Sequence, residues 1–229
     1  MATTTANANG FFSLSFTVDT QIYGTKTITA LGTGSESSLN LFAIIPEIYS
    51  VTPTNGTVGT KVIISGSGYG KYDPMSFEFG NNANITPSIY ARINGLFDVS
   101  FVVDTQSYGT TTIRANGSFS TTAANTFFIM PQVISVIPTT GSVGTVVTVK
   151  GIGYAANDSI TVSFGTNANI QMADANTNGS FSTSFTVDVQ SYGTTTITAS
   201  GATTSGVSVA TNVFSIQPQV VSVEPTAGT

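Results

Sequence analysis

One short motif, present three times, holds most of the chemistry this chain could perform. Asp19, Gln21 and Tyr23 recur as Asp104, Gln106 and Tyr108, and again as Asp188, Gln190 and Tyr192, each time in the order V-D-x-Q-x-Y-G-T. An Asp and a Gln two residues apart at a strand end could share a cation or a glycan. One acidic residue per copy is too few for a calcium cage, and the same residue types close a turn between strands. In that stronger reading the Asp accepts backbone N–H bonds and the Tyr caps the core. Gly66, Gly68 and Gly70 around Tyr69 imitate a phosphate loop. Such a loop needs a helix N-terminus behind it and no helical spacing follows, so they read as turn glycines. Lys26, Lys61, Lys71 and Lys150 raise the idea of Lys–Asn isopeptide staples, but Lys61 aligns with Val146 and Lys150 with Ser65. A solvated strand face is the better home for each.

Composition removes most other chemistry. The 229 residues include no His, Cys or Trp, which excludes imidazole general bases, thiolate nucleophiles and nitrogen or sulfur ligands for zinc. Any enzyme would need carboxylates, Tyr or Lys. Asp158, Asp174 and Glu78 are expected to lack an acidic counterpart in the neighbouring repeat, so no catalytic, cofactor or metal residue is assigned; two carboxylates converging in a cleft would reopen a glycosidase reading. A net charge of -5 and a pI near 4.3 leave no basic stripe for nucleic acid or anionic membrane. No apolar run reaches the length of a membrane span, and the opening MATTTANANG has no basic and apolar leader pattern. A secretion signal, if the parent protein has one, is expected outside this chain. Asn55, Asn84, Asn116, Asn157 and Asn178 open N-x-[ST] sequons; in so Ser- and Thr-rich a chain such matches arise by chance, and glycosylation stays open.

The chain around this motif repeats itself. PEIYSVTPTNGTVGT at 46 to 60 returns as PQVISVIPTTGSVGT at 131 to 145 and begins again as PQVVSVEPTAGT at 218 to 229. NGFFSLSFTVDTQIYGTKTITA at 9 to 30 returns at 94 to 115 and at 178 to 199. Pro46, Pro131 and Pro218 stand 85 and 87 residues apart, one compact domain per period. Residues 46–130 and 131–217 are thus complete units, 1–45 matches the second half of a unit, and 218–229 matches a first strand.

Inside a unit the apolar period is two. Phe181, Thr183, Phe185 and Val187 share one face, as do Phe97, Val99, Phe101 and Val103, and Phe12, Leu14, Phe16 and Val18. Similar runs predict strands around 62–65, 75–79, 147–150, 160–164, 195–199 and 213–216. About seven short antiparallel strands per unit, split by Gly and Asn turns, make an all-β immunoglobulin-like two-sheet sandwich, repeated end to end. The predicted core holds Phe79, Phe97, Phe101, Ile113, Phe127 and Ile129 in one unit, and Phe164, Phe181, Phe185, Ile197, Phe214 and Ile216 in the other. Pro131 and Pro218 follow the last strands directly, which predicts short, stiff joints.

The order P-x-[IV]-x-S-V-x-P-T-x-G-x-V-G-T, then Gly-x-Gly-Tyr (Gly66, Gly68, Tyr69; Gly151, Gly153, Tyr154), then Phe-Gly (Phe79-Gly80; Phe164-Gly165), resembles the IPT/TIG family. Those are immunoglobulin-like domains of plexins, of certain transcription factors and of tandem arrays on bacterial surface proteins. The resemblance implies a fold and, on a surface protein, a spacer or adhesive stalk; it carries over no catalytic motif. The DNA-contacting loops of its transcription-factor members have no basic counterpart here.

These features predict a non-catalytic structural component of an extracellular fibre, filament or surface stalk, without cofactor. Its expected partners are copies of itself or adjacent repeats, head to tail, with no nucleic acid and no membrane insertion. The rival is a surface adhesin holding a glycan or protein through its loops, which an exposed Tyr cluster on each unit would favour; a third reading is an accessory domain of a polysaccharide-degrading enzyme. Phe12, Leu14, Phe16, Val18, Ile28, Phe42 and Ile44 are expected to lack cover from their own unit. A longer array is favoured over strand donation by a second copy's tail, because one strand replaces too little of the missing half.

Overall fold

Alternating Phe, Val and Ile place one face of each run against another sheet, and strands form wherever that pairing partner is present. The computed structural model describes residues 2–34, 36–204 and 210–228; Met1, Ser35, 205–209 and Thr229, which fall within three of the four predicted segments, lie outside the described residues. Every regular element among the described residues is a strand. β1 (Gly24–Ala30) and β2 (Ser38–Ile44) make an antiparallel hairpin. Residues 46–130 hold β3 (Glu47–Thr52), β4 (Asn55–Gly56), β5 (Lys61–Ser67), β6 (Pro74–Phe79), β7 (Ile89–Tyr90), β8 (Phe97–Val102), β9 (Gly109–Gly117) and β10 (Ala123–Ile129). Residues 131–217 repeat them as β11 (Gln132–Ile137), β12 (Thr140–Gly141), β13 (Val146–Ile152), β14 (Ser159–Phe164), β15 (Asn167–Asp174), β16 (Phe181–Thr186), β17 (Gly193–Gly201) and β18 (Ala210–Ile216).

Each unit has a three-stranded sheet, β3-β5-β8 or β11-β13-β16, facing a five-stranded one, β4-β10-β9-β6-β7 or β12-β18-β17-β14-β15. The first strand is split between the sheets: β3 pairs antiparallel with β5, and beyond Pro53 β4 pairs parallel with β10. Counted as one strand, the split pair brings each unit to the predicted seven. The whole is an immunoglobulin-like sandwich.

The two units have separate cores built from the same positions. Phe79 reaches across the sandwich to Phe101, ring centroids 5.1 Å apart, and Phe164 reaches Phe185 at 5.2 Å. All twelve predicted core residues are buried, which fixes the register, because a one-residue slip would turn each ring to solvent. The largest side chains shut off from water are Tyr69 and Tyr154. Each stands edge-on to a phenylalanine, Phe97 or Phe181, and donates its hydroxyl to a carbonyl of the opposite sheet, Ala115 or Ala199. Burial raises both phenols above their ordinary range, so they stay neutral donors. Replacing Tyr154 by Phe should destabilise this unit by about 1 kcal/mol, the net worth of one buried hydrogen bond, as read by chemical denaturation.

Residues 1–45 show the same logic from the other side. Their 11–19 segment matches β8 and β16 yet forms no strand, because those strands pair only with β5 and β13, for which residues 1–45 contain no counterpart. Phe16 is 56% exposed where Phe101 and Phe185 are each 4%. Phe12, Leu14, Val18, Ile28 and Phe42 are likewise exposed. Ile44, alone of the seven, is buried, two residues before Pro46, where the chain enters the next unit. Beyond Gln217, Val220, Val221 and Val223 lie in the open.

Candidate functional site

The recurring Asp-x-Gln-x-Tyr turn lies where the chain crosses between sheets, from β8 to β9 and from β16 to β17. Its Asp does not accept backbone N–H bonds, as the sequence led one to expect; it is held by side-chain amides. Asp104 accepts from Asn82 Nδ2 (2.8 Å) and Gln106 Nε2 (3.1 Å), and Gln106 also donates to the Phe79 carbonyl at 3.4 Å. Asp188 accepts from Asn167 Nδ2 (2.8 Å) and Gln190 Nε2 (2.9 Å) in the same way. The crossover is thereby tied to the turn after β6 or β14. The carboxylate has its partners within the fold, so the arrangement does the work of a turn clamp. Asn82 and Asn167 were the missed members, legible in the repeated F-G-x-N. Asp188→Ala should cost about 1 to 2 kcal/mol, the loss of two charge-assisted bonds at a half-exposed site, measurable by the same denaturation.

The Tyr of this turn does not cap the core either; Tyr69 and Tyr154 hold that position. Tyr23 and Tyr108 instead sit at the joints between units. The Tyr23 N–H donates to the Tyr69 carbonyl at 3.0 Å, and the Tyr108 N–H donates to the Tyr154 carbonyl at 2.8 Å. Gly68 and Gly153, with φ of +80° and +76°, bring the receiving turn against the chain entering the unit: a Cβ there would lie 2.5 Å from the Ile45 carbonyl oxygen or 2.6 Å from that of Met130. Both the conformation and the approach require glycine. Gln132 adds a bond across the second joint, donating from Nε2 to the Val58 carbonyl at 3.2 Å.

A second repeated carboxylate overturns part of the sequence reading. Asp158 was expected to have no acidic counterpart, but Asp73 occupies the same place before β6 that Asp158 occupies before β14. Both are buried. Asp73 accepts from the Phe119 N–H (2.8 Å) and the Ser120 hydroxyl; Asp158 accepts from the N–H groups of Thr203 (2.8 Å) and Thr204 (3.0 Å) and from the Thr204 hydroxyl (2.5 Å). Burial alone would raise the Asp158 carboxyl, but these Thr donors outweigh it and hold the group below the ordinary carboxylate range. Each aspartate pins the loop after the ninth or seventeenth strand.

Among the described residues no group of three or more Asp or Glu side chains could hold a metal ion. A shallow polar depression of about 330 Å³ is lined by Glu78, Asn81, Gln106, Ser107 and Arg114 among others, with Glu78 its one carboxylate. The exposed Tyr49, Tyr72 and Tyr90 of residues 46–130 have no tyrosine counterpart in 131–217, which holds only Tyr154 and Tyr192. Lys61, Lys71 and Lys150 are exposed and Lys26 is half-buried.

No family model matches the chain, and no curated protein does. Among solved structures it is similar to the adhesin InvE of Yersinia pseudotuberculosis (13% identity, 73% of this chain and 58% of that one, TM-score 0.31). It is also similar to a tetra-tandem repeat from the extending region of a large adhesion protein (14%, 84% and 56%, TM-score 0.35) and to the D00-D0 domain of intimin (14%, 76% and 99%, TM-score 0.33). The chain thus spans 58% of the length of InvE.

Proposed function

We propose that this chain is a non-catalytic structural segment of an extracellular fibre, filament or surface stalk, built from IPT/TIG-like immunoglobulin repeats joined head to tail. The observation that carries the reading is the joint. The same backbone bond, between a Tyr N–H of one unit and a Tyr carbonyl of the next, is made at 3.0 Å and again at 2.8 Å, each time beside a glycine with no room for a side chain. A linker meant only to tether two binding modules needs no repeated docking geometry. The chemistry that the two units share, Asp clamps and core tyrosines, is spent on holding turns. With no Cys in the chain, stability rests on core packing, and polar Ser- and Thr-rich faces suit an extracellular polymer.

The uncovered side chains of residues 1–45 support a partner of the same kind for that half unit. Phe12 and Phe16, each more than half exposed, forgo part of the roughly 1.5 to 3 kcal/mol that full burial gives, and their equivalents in the complete units are covered by the first-half strands. A loop-borne glycan site, the rival reading, would gain from chemistry that recurs; Glu78 and Arg114 of the polar depression align with Ser163 and Thr198, so the depression is particular to one unit. Electron microscopy of the native material should show thin, unbranched fibres or stalks at the cell surface; compact particles with no axial repeat would overturn the proposal.

A further inference from the structure

We propose that the 188–193 turn is an open docking plug whose partner is the Gly-x-Gly-Tyr turn of a further repeat of this kind, and that this turn, not the tail strand, selects the partner. The inference rests on the stalk reading above and names the contact that propagates it. The plug has three copies: Gln21-Ile22-Tyr23, Gln106-Ser107-Tyr108 and Gln190-Ser191-Tyr192. The first two are occupied and partly or fully covered, with Tyr23 and Tyr108 bonded to the carbonyls of Tyr69 and Tyr154. In the third, Ser191 is exposed, Val189 is 86% exposed and Tyr192 is 75% exposed. Its internal clamp is nonetheless already made, Asp188 being held by Asn167 and Gln190, so the turn is preformed for a partner.

The socket is equally specific. It consists of the Tyr154 carbonyl, the preceding Gly153, and Gly179, whose missing Cβ would collide with the Tyr154 carbonyl oxygen and lie 3.0 Å from Ser107 Cα of the unit before. Tyr154 N–H bonds to the Gly179 carbonyl (3.0 Å), as Tyr69 N–H bonds to that of Gly95 (3.2 Å), so the two glycine turns form one surface. In a second copy of this chain both sockets are filled by its own Tyr23 and Tyr108, and its residues 2–45 contain no Gly-x-Gly-Tyr. Strand donation from the 218–228 tail to such a copy would therefore add a strand and leave the plug empty. A following repeat that carries its own socket fills both.

Amide hydrogen exchange at Tyr192 tests this, in the full chain and in a chain with residues 131–217 inserted a second time after Gln217. In the full chain the Tyr192 amide should exchange at least about ten-fold faster than those of Tyr23 and Tyr108, and in the lengthened chain it should slow into their range. A Tyr192 amide that stays fast while the core amides of the added repeat are protected overturns the proposal, as does an added repeat that fails to fold in place. So does protection that rises with the concentration of the 229-residue chain alone, since its sockets are filled. Ser107→Trp provides the converse: it should free the Tyr108 amide while core amides of both units stay protected, and an unchanged Tyr108 amide counts against the socket. Micrographs without fibres, together with a Tyr192 amide that becomes protected in the lengthened chain, would remove the stalk and leave the docking.

Discussion

Replacing Phe185 by Ala should lower the stability of residues 131–217 by about 3 to 5 kcal/mol. The ring is 4% exposed and lies 5.2 Å from Phe164, so it is one of the bridges between the sheets. Removing it leaves a cavity that strands on both sides are held from closing by their own ladders. Phe101→Ala should do the same to residues 46–130. Each unit has its own core, so denaturation followed by circular dichroism should show one transition moving and the other nearly still. Phe16 is the internal control. It occupies the same repeat position but is 56% exposed, and Phe16→Ala should change stability by less than about 0.5 kcal/mol. Equal losses at Phe16 and Phe185 would mean that residues 1–45 are covered in solution by something outside them.

Asp158→Ala should cost on the order of 3 kcal/mol, because three donors from Thr203 and Thr204 lose a charged acceptor at a buried site. The pH dependence has a definite sign. The folded carboxyl titrates below its unfolded value of about 3.9, so its contribution is complete above that value and is lost as pH falls through the folded pKa. Acid titration of the wild-type chain should show unit 131–217 weakening below about pH 4, and Asp158→Asn should be less stable at neutral pH with a flatter acid limb. An acid limb left as steep in Asp158→Asn as in the wild type would assign the effect to another carboxylate.

The strands and their inward faces were legible because period-two alternation, repeated in phase at Phe97, Phe181 and Phe12, reports burial directly. What it could not report is whether a partner strand exists, and so the 11–19 run alternates without forming a strand. The turn motif was legible as a turn but not in its wiring. Asp104 could have been served by backbone or side-chain donors, and only the folded chain brings Asn82, 22 residues earlier, to its oxygen. Asp73 and Asp158 went unpaired in the sequence because their neighbours differ, Tyr72 and Pro74 against Asn157 and Ser159, although Tyr72 and Asn157 share a positive φ of 54° and 56°. The joint was foreseen as stiff from Pro131 and Pro218. Its actual fastening, a backbone amide on a backbone carbonyl, leaves only the glycines as a trace in the sequence.

The split first strand has a mechanical consequence. In each unit its second part runs parallel to the last strand, with Phe128 N–H on the Thr54 carbonyl (3.0 Å) and Met130 N–H on that of Gly56 (2.8 Å), and likewise Ser215 on Thr139 (2.9 Å) and Gln217 on Gly141 (2.8 Å). Tension along the chain enters through the first strand and leaves through the last. Because the two are parallel, the pull slides them past each other and loads both bonds at once, where an antiparallel pair pulled from one end would open bond by bond. Rupture then depends on the height of the unfolding barrier and not on the equilibrium free energy. A unit of ordinary thermal stability can on this account bear a pull that would unzip a hairpin, with the load crossing each sandwich through the two backbone hydrogen bonds between its first and last strands.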